Sequence, residues 1–361
     1  MERVYNFSAG PATLPYTVIN KASKGALEYN NQGISVLELS HRSEEFSDII
    51  NTAEADLRTL LDISNSYSVL FMQGGATAQF AAIPMNLMKN KSADYIQTGN
   101  WSKKAIDEAK IYGDINVVAS SESCNYAKIP DLSNVDFSED ADYVYICQNE
   151  TVYGVQYPEL PDTGDIPLVS DVSSMFLSEP HDVEKYGVLY GGVQKNIGPA
   201  GLAIVIIRND LISEDILQFT PSILNYKKMA DSKSLMNTPN CWAIYVCGIT
   251  FRWLLANGGL GRMKEINERK AQILYDCIDS SKLFNSPVDP SCRSIMNVPF
   301  VTGDSELDAK FVSEAADAGL RSLKGHRSVG GMRASIYNAM PEAGVQALVD
   351  FMEKFEKENL K

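Results

Sequence analysis

The sequence predicts an α/β protein built on a largely parallel sheet, and three observations carry that reading. Short apolar runs alternate with longer amphipathic stretches from about residue 16 to residue 257. One run passes through a glycine pair directly into a helical pattern, at Phe71-Met72-Gln73-Gly74-Gly75-Ala76-Thr77-Ala78-Gln79-Phe80. The C-terminal third carries helix-period apolar faces of its own. Alternating strands and helices of this kind pack as a sheet covered by helices.

Taken in order, the expected strands are Tyr67 to Met72, Ala93 to Gln97, Ile115 to Ala119, Tyr143 to Gln148, Leu168 to Asp171 and Leu202 to Ile207. A helix after Gly258-Gly259 places Met263, Ile266, Ile273, Leu274, Cys277 and Ile278 on one face. That glycine pair is a natural joint between lobes. The last helix follows Pro341, a residue suited to a first helical turn, and sets Val345, Leu348, Val349, Met352 and Phe355 at helical spacing. At 361 residues the chain is long for a single core. We therefore expect a large domain over 16–257 and a smaller α/β domain made of 1–15 and 258–361.

Composition narrows the function. With 45% hydrophobic and 22% charged residues the chain is a folded globular protein, and its net charge of −14 argues against nucleic acid as a partner. Six cysteines without a C-x-x-C pair, beside only three histidines, argue against a structural zinc site and for free thiols in a reducing compartment. The start MERVYNFSAGPATLP lacks the apolar run of a signal peptide, and no segment reaches membrane-spanning length, so the expected location is the cytoplasm. Neither G-x-G-x-x-G nor G-x-x-x-x-G-K-[ST] occurs, so the usual dinucleotide and P-loop signatures are missing.

Lys195 stands among small and turn-forming residues in Gly191-Gly192-Val193-Gln194-Lys195-Asn196-Ile197-Gly198-Pro199-Ala200-Gly201. A lysine acts as a nucleophile toward a carbonyl only when its amine is substantially neutral, which burial or a cationic neighbour brings about. Asp171 ends the strand Leu168 to Asp171, at the sheet edge where α/β ligands bind, and is placed to meet the ring nitrogen of a pyridine cofactor. Ala76 and Thr77 open a helix whose free N–H groups and dipole suit a phosphate. Trp101 offers an indole to a ring face, and Thr151 offers a hydroxyl to a ring oxygen. Thr77, Trp101, Thr151, Asp171 and Lys195 are each expected at the C-terminal end of a separate strand, so independent loops converge on one crevice.

A second constellation concerns the substrate. Two of the three histidines occur in one dipeptide, His41-Arg42 and His326-Arg327, with Arg333 close behind the latter. Arginine grips carboxylate or phosphate with a bidentate fork, and histidine adds a donor that can become cationic beside a dianion. The ligand suggested has at least two anionic groups. Gly325, Gly330 and Gly331 around the second pair point to a shaped loop.

These residues lie in segments that resemble one family along nearly the whole chain. They are Asn6-Phe7-Ser8-Ala9-Gly10-Pro11-Ala12, Glu38-Leu39-Ser40-His41-Arg42-Ser43, Asn149-Glu150-Thr151, Gln194 to Gly201, and Lys324 to Ala339. All look like the phosphoserine aminotransferases, fold-type-I enzymes of class V that use pyridoxal 5′-phosphate. The resemblance implies a mostly parallel seven-stranded sheet and reversible amino transfer from O-phospho-L-serine to 2-oxoglutarate, giving 3-phosphooxypyruvate and L-glutamate in L-serine biosynthesis. Some members also act on 4-phosphooxy-L-threonine in pyridoxine synthesis.

Carried over residue by residue, Lys195 would hold the cofactor covalently and shuttle the proton, Asp171 would pair with the ring nitrogen, Trp101 would stack and Thr151 would bond the ring oxygen. Ala76, Thr77 and Gln194 would hold the phosphate. Asn237 and Thr238 would reach the cofactor phosphate of a partner subunit, which implies a homodimer with shared sites. Arg333 would clamp the α-carboxylate, leaving His41, Arg42, His326 and Arg327 for the side-chain anion. The chain departs from the family at Thr77, where some members have arginine, and at Asn240-Cys241, where a second proline is common. A desulfurase of the same fold would need a cysteine on a flexible glycine-rich loop, and no cysteine is so placed.

Overall fold

Seven strands form the central sheet of the computed structural model, which describes residues 3–360. They are β1 (Tyr67–Gln73), β2 (Ser92–Gln97), β3 (Asp114–Ser120), β4 (Val144–Cys147), β5 (Leu168–Asp171), β6 (Val188–Gly192) and β7 (Leu202–Arg208). Their order is β1-β7-β6-β5-β4-β2-β3. β7 runs antiparallel to both its neighbours and every other pairing is parallel. β3, at the open edge, has no fully buried residue, whereas β4, β5 and β6 are buried at every position. That contrast explains why the inner strands are apolar on both faces.

Six helices cover the sheet: α1 (Tyr16–Leu27), α2 (Glu44–Leu61), α3 (Gly75–Leu87), α4 (Asn100–Ala109), α5 (Tyr226–Asp231) and α6 (Cys241–Ala256). Side chains alternate along β1, so Val69 and Phe71 join the core built with α1, α2 and α6. Leu70 and Met72 join the opposite core, with α3, α4 and α5. Helix starts are marked by side-chain caps: Ser43 accepts from the Phe46 N–H at α2, and Asn240 from the Ala243 N–H at α6.

The six expected strands all form, with ends shifted by a residue or so. β6 was not among them. Its apolar run is only Val188-Leu189-Tyr190 before two glycines, too short to signal a strand alone, and its pairing with β5 and β7 completes it. Lys195 follows this strand directly.

A further hydrophobic core gathers Phe7 with residues between 271 and 355. It is built from α7 (Gly259–Ser280), α8 (Ser305–Asp317), α9 (Glu342–Asn359) and the antiparallel pair β8 (Asn297–Phe300) and β9 (Met332–Ser335). All five apolar positions expected on the last helix are buried in it. Gly258, at φ +94°, caps α7 in the left-handed conformation.

The α7 face differs from expectation. Ile266, Ile273 and Cys277 are only partly buried, while Asn267 and Lys270 are buried completely. Lys270 Nζ donates to the carbonyls of Ile336, Tyr337 and Met340 at 2.9, 2.8 and 3.1 Å, and Asn267 donates to Ser178 O and Asn338 Oδ1. Three carbonyl acceptors make a lysine tolerable where apolar periodicity leaves no place for one.

Phe311 is wholly buried and meets Phe284, Phe300 and Phe355 edge-on at ring separations of 5.3, 5.7 and 5.1 Å. Phe311→Ala is expected to cost about 3–5 kcal/mol through lost transfer energy and the cavity left behind. Denaturant unfolding followed by circular dichroism checks this; a loss below about 1 kcal/mol would contradict a tightly packed aromatic cluster.

Candidate active site

β1 ends at Gln73 and the chain turns through Gly74 and Gly75, at φ +94° and +65°, into α3. The turn is tied down by the Gly74 N–H, which donates to Gly201 O at 3.1 Å. The first N–H groups of α3 have no acceptor within the helix and face a cavity of about 320 Å³. Ala76, Thr77, Trp101, Asp171, Gln194 and Lys195 all line it. Gly192 leaves room for the Gln194 amide, which a Cβ there would meet at 2.6 Å and so displace, with Ala76 Cβ at 3.3 Å.

Lys195 is 8% exposed and its Nζ donates to Thr151 Oγ1 at 2.6 Å. Burial pushes the amine below its usual pKa, against the opposing pull of Asp171, Cys147 and Glu150. Gly10 packs on the lysine stem: a Cβ there would lie 3.3 Å from Lys195 Cγ. The amine is thus fixed, shielded from bulk water and more easily deprotonated than a surface lysine.

Asp171, at the end of β5, is 4% exposed. Its Oδ1 accepts from the Ser173 N–H at 2.8 Å and the Ser173 hydroxyl at 2.5 Å, and its Oδ2 accepts from Tyr190 OH at 3.3 Å. Ser173 Oγ also accepts from the Gly192 N–H at 2.9 Å, and Tyr190 OH is 2.8 Å from Tyr145 OH. The carboxylate is therefore anchored to the turn after β5 and to β6, and through Tyr190 it is linked to Tyr145 on β4.

Trp101 begins the first turn of α4. Lys195 Nζ lies 5.4 Å from the centre of its ring, and its indole nitrogen is buried without a hydrogen-bond partner among the described residues. Arg333, on β9, donates from Nη1 to Thr151 O at 3.3 Å, while its Nε is buried without such a partner. A strand of the further core thereby reaches the residue that holds Lys195.

His41, Arg42, Asn237, Thr238, His326 and Arg327 do not line the cavity. Thr238 lies near the α3 turn, its carbonyl accepting from Gln73 Nε2 at 3.1 Å. Buried atoms of His41 (Nε2) and Asn237 (Oδ1) have no partner among the described residues. His326 sits in a shaped loop closed by the Gly325 N–H donating to Gly331 O at 2.9 Å, and its Nδ1 is 2.7 Å from Ser328 Oγ. Burial, with Arg333, Arg327 and Lys104 nearby, pushes the imidazole pKa down.

Sequence reasoning assigned no site role to Gly10, Pro11, Phe80, Ser173 or Gly201, all of which line the cavity, nor to Tyr190 beneath Asp171. Ser173 carried a local signal, since a serine two residues after an aspartate commonly closes a side-chain turn. Gly10 and Tyr190 come from distant segments and had none.

Residues 4–348 match the family model described as aminotransferase class-V, and the chain is a protein of that class. The chain is 51% identical over 361 residues to the phosphoserine aminotransferase of Marinomonas sp. (strain MWYL1), covering 99% of each chain. Its fold superimposes on the solved phosphoserine aminotransferase of Bacillus circulans subsp. alkalophilus with a TM-score of 0.97, at 43% identity over 100% of both chains. For the structure described as PLP-bound phosphoserine aminotransferase from Trichomonas vaginalis the values are 0.93 and 40%, over 97% of this chain and 100% of that one. The chain belongs to the phosphoserine aminotransferase family.

Proposed function

We propose that the chain transfers the amino group of O-phospho-L-serine to 2-oxoglutarate, reversibly, giving 3-phosphooxypyruvate and L-glutamate in L-serine biosynthesis, with pyridoxal phosphate as cofactor. The observation that carries this is one cavity holding a buried lysine, a buried carboxylate and a helix N-terminus, in a chain about half identical to phosphoserine aminotransferases over its full length.

The residues present fit pyridoxal phosphate. Trp101 Nε1 and Gln194 Oε1 are buried polar atoms without partners among the described residues, Gly192 leaves room for the Gln194 amide beside α3, and Asp171 offers the carboxylate a pyridinium nitrogen needs. The α3 amides at Ala76 and Thr77, with Gln194, would hold the phosphate; Trp101 would cover the ring and Thr151 would bond its oxygen. When bound, the cofactor supplies an electron-accepting ring that stabilises the charge left as Cα loses its proton.

The chain's own residues supply positioning and proton transfer. Asp171, fixed by Ser173 and Tyr190, would face the ring nitrogen and favour its positive charge when the cofactor is bound. Lys195 Nζ, its pKa lowered by burial, would take the proton from substrate Cα and hold it for return. Thr151 steadies that amine at 2.6 Å and its carbonyl orients Arg333, which offers its fork to the α-carboxylate. His326 and Arg327 take the side-chain phosphate or carboxylate.

We assign His41, Arg42, Asn237 and Thr238 to the site of a second copy in a homodimer. None lines the cavity of its own chain, and His41 and Asn237 hold buried polar atoms that a partner would satisfy. No helix among the described residues is long and apolar enough to cross a membrane. We place the enzyme in the cytoplasm, where its six free thiols stay reduced.

The visible absorption spectrum of the purified holoenzyme tests the reading. The expected result is a cofactor band that converts on adding O-phospho-L-serine and stays unchanged with L-serine at the same concentration. A band that phosphoserine leaves untouched would remove the substrate assignment, and absence of a band after adding pyridoxal phosphate would remove the enzyme reading.

A further inference from the structure

Glu150 is fully buried inside the site, yet the proton transfer and binding roles above leave it unused. Its Oε2 accepts from the Trp101 N–H at 2.9 Å, and its Oε1 from the Val152 N–H at 3.3 Å. The space it occupies is kept open from the facing loop, since a Cβ at Gly99 would collide with the Glu150 Cγ and carboxyl carbon.

The N-cap residue of α4, Gly99, has no side chain to offer, so the first-turn Trp101 N–H is satisfied by this carboxylate from another segment. Ser102 Oγ accepts from the Thr98 and Gly99 N–H groups at 2.9 and 3.0 Å. A buried carboxylate is costly unless neighbouring charge compensates it, and Glu150 lies within electrostatic reach of Lys195, Asp171, Cys147 and Arg333. Burial pushes its pKa up to about 7, while the two N–H donors and Lys195 pull the other way. Its charge state is thus tied to that of the site.

We propose that Glu150 is a positioning residue for the transamination proposed above: its carboxylate clamps the segment bearing Trp101 to the segment bearing Thr151. One carboxylate bonds the N–H of the ring-covering residue and the N–H just after the hydroxyl that holds the lysine. Moving it would loosen both Trp101, which lines the cavity, and the segment whose Thr151 hydroxyl holds Lys195. Removing its charge would make the protonated state at Lys195 less favourable.

The test compares wild-type, Glu150→Gln, Glu150→Asp and Glu150→Ala holoenzymes. In Glu150→Gln, one carbonyl oxygen faces two donors, so the Trp101 amide should exchange with solvent at least about 10-fold faster. The pH at which the cofactor band switches should fall by at least about half a unit, and kcat should drop about 10-fold with a smaller change in KM. Glu150→Asp, which keeps the charge on a shorter stem, should restore the band's pH but not the amide protection. Glu150→Ala should show both losses, and where it does not fold the near-isosteric glutamine variant carries the test. The proposal is overturned if Glu150→Gln titrates and turns over like wild type and only its thermal midpoint falls. A missing or unresponsive band in wild type would instead overturn the proposed function, so the two failures are distinguishable.

Discussion

Lys195→Ala is expected to lower kcat by at least about 10⁴-fold while leaving the fold intact. The amine is the one nucleophile and base that the structure holds at Thr151, 2.6 Å from its hydroxyl, and no other lysine lines the cavity. Alanine would remove both the covalent attachment point and the proton carrier proposed for this residue. Stability should not suffer much, because the lost group is a buried amine whose desolvation works against folding. Turnover, circular dichroism and cofactor absorption measured on one preparation check this. Folded protein with free, exchangeable cofactor and no turnover is the expected outcome; turnover within about 10-fold of wild type would remove Lys195 from its role.

Asp171→Asn is expected to lower kcat by about 10²–10³-fold with little loss of folding stability. The amide oxygen can still accept from Ser173, so the local turn survives, but the negative charge proposed to face the ring nitrogen would be gone. Removing one partner of a buried charge pair costs about 3–5 kcal/mol, and here the cost falls on the charge-developing step. Cofactor affinity should weaken as well, as dialysis and reconstitution would measure. A variant with kcat within about fivefold of wild type would show that the ring nitrogen does not depend on this carboxylate.

The local chemistry of the site was largely legible. Glycines between β1 and α3 announced an N-terminal anion cradle, the acid at the end of β5 sat at the sheet edge where ligands bind, and Lys195 stood out among small residues. All three line one cavity. Glu150 was in view within Asn149-Glu150-Thr151 but drew no role, because nothing local shows that its carboxylate reaches the Trp101 N–H. The α7 face was misread for a similar reason. Lys270 looks like a solvent-facing residue until the loop over 336–340 delivers three carbonyls to it.

By itself the sequence determined the strand–helix alternation, the existence of the helices α7 and α9 with the buried face of α9, and the identity of the chemical groups, because these depend on residues close together in the chain. Tertiary structure decided what depends on distant segments. It completed β6 between β5 and β7 and so placed Lys195 at a strand end. It set Gly10 against the lysine stem and Tyr190 beneath Asp171. It also left His41, Arg42, Asn237 and Thr238 off their own chain's cavity. Each of these is a contact between surfaces that only meet once the chain has packed, where burial shifts the lysine and steric exclusion selects glycine, and no periodicity along the sequence records either.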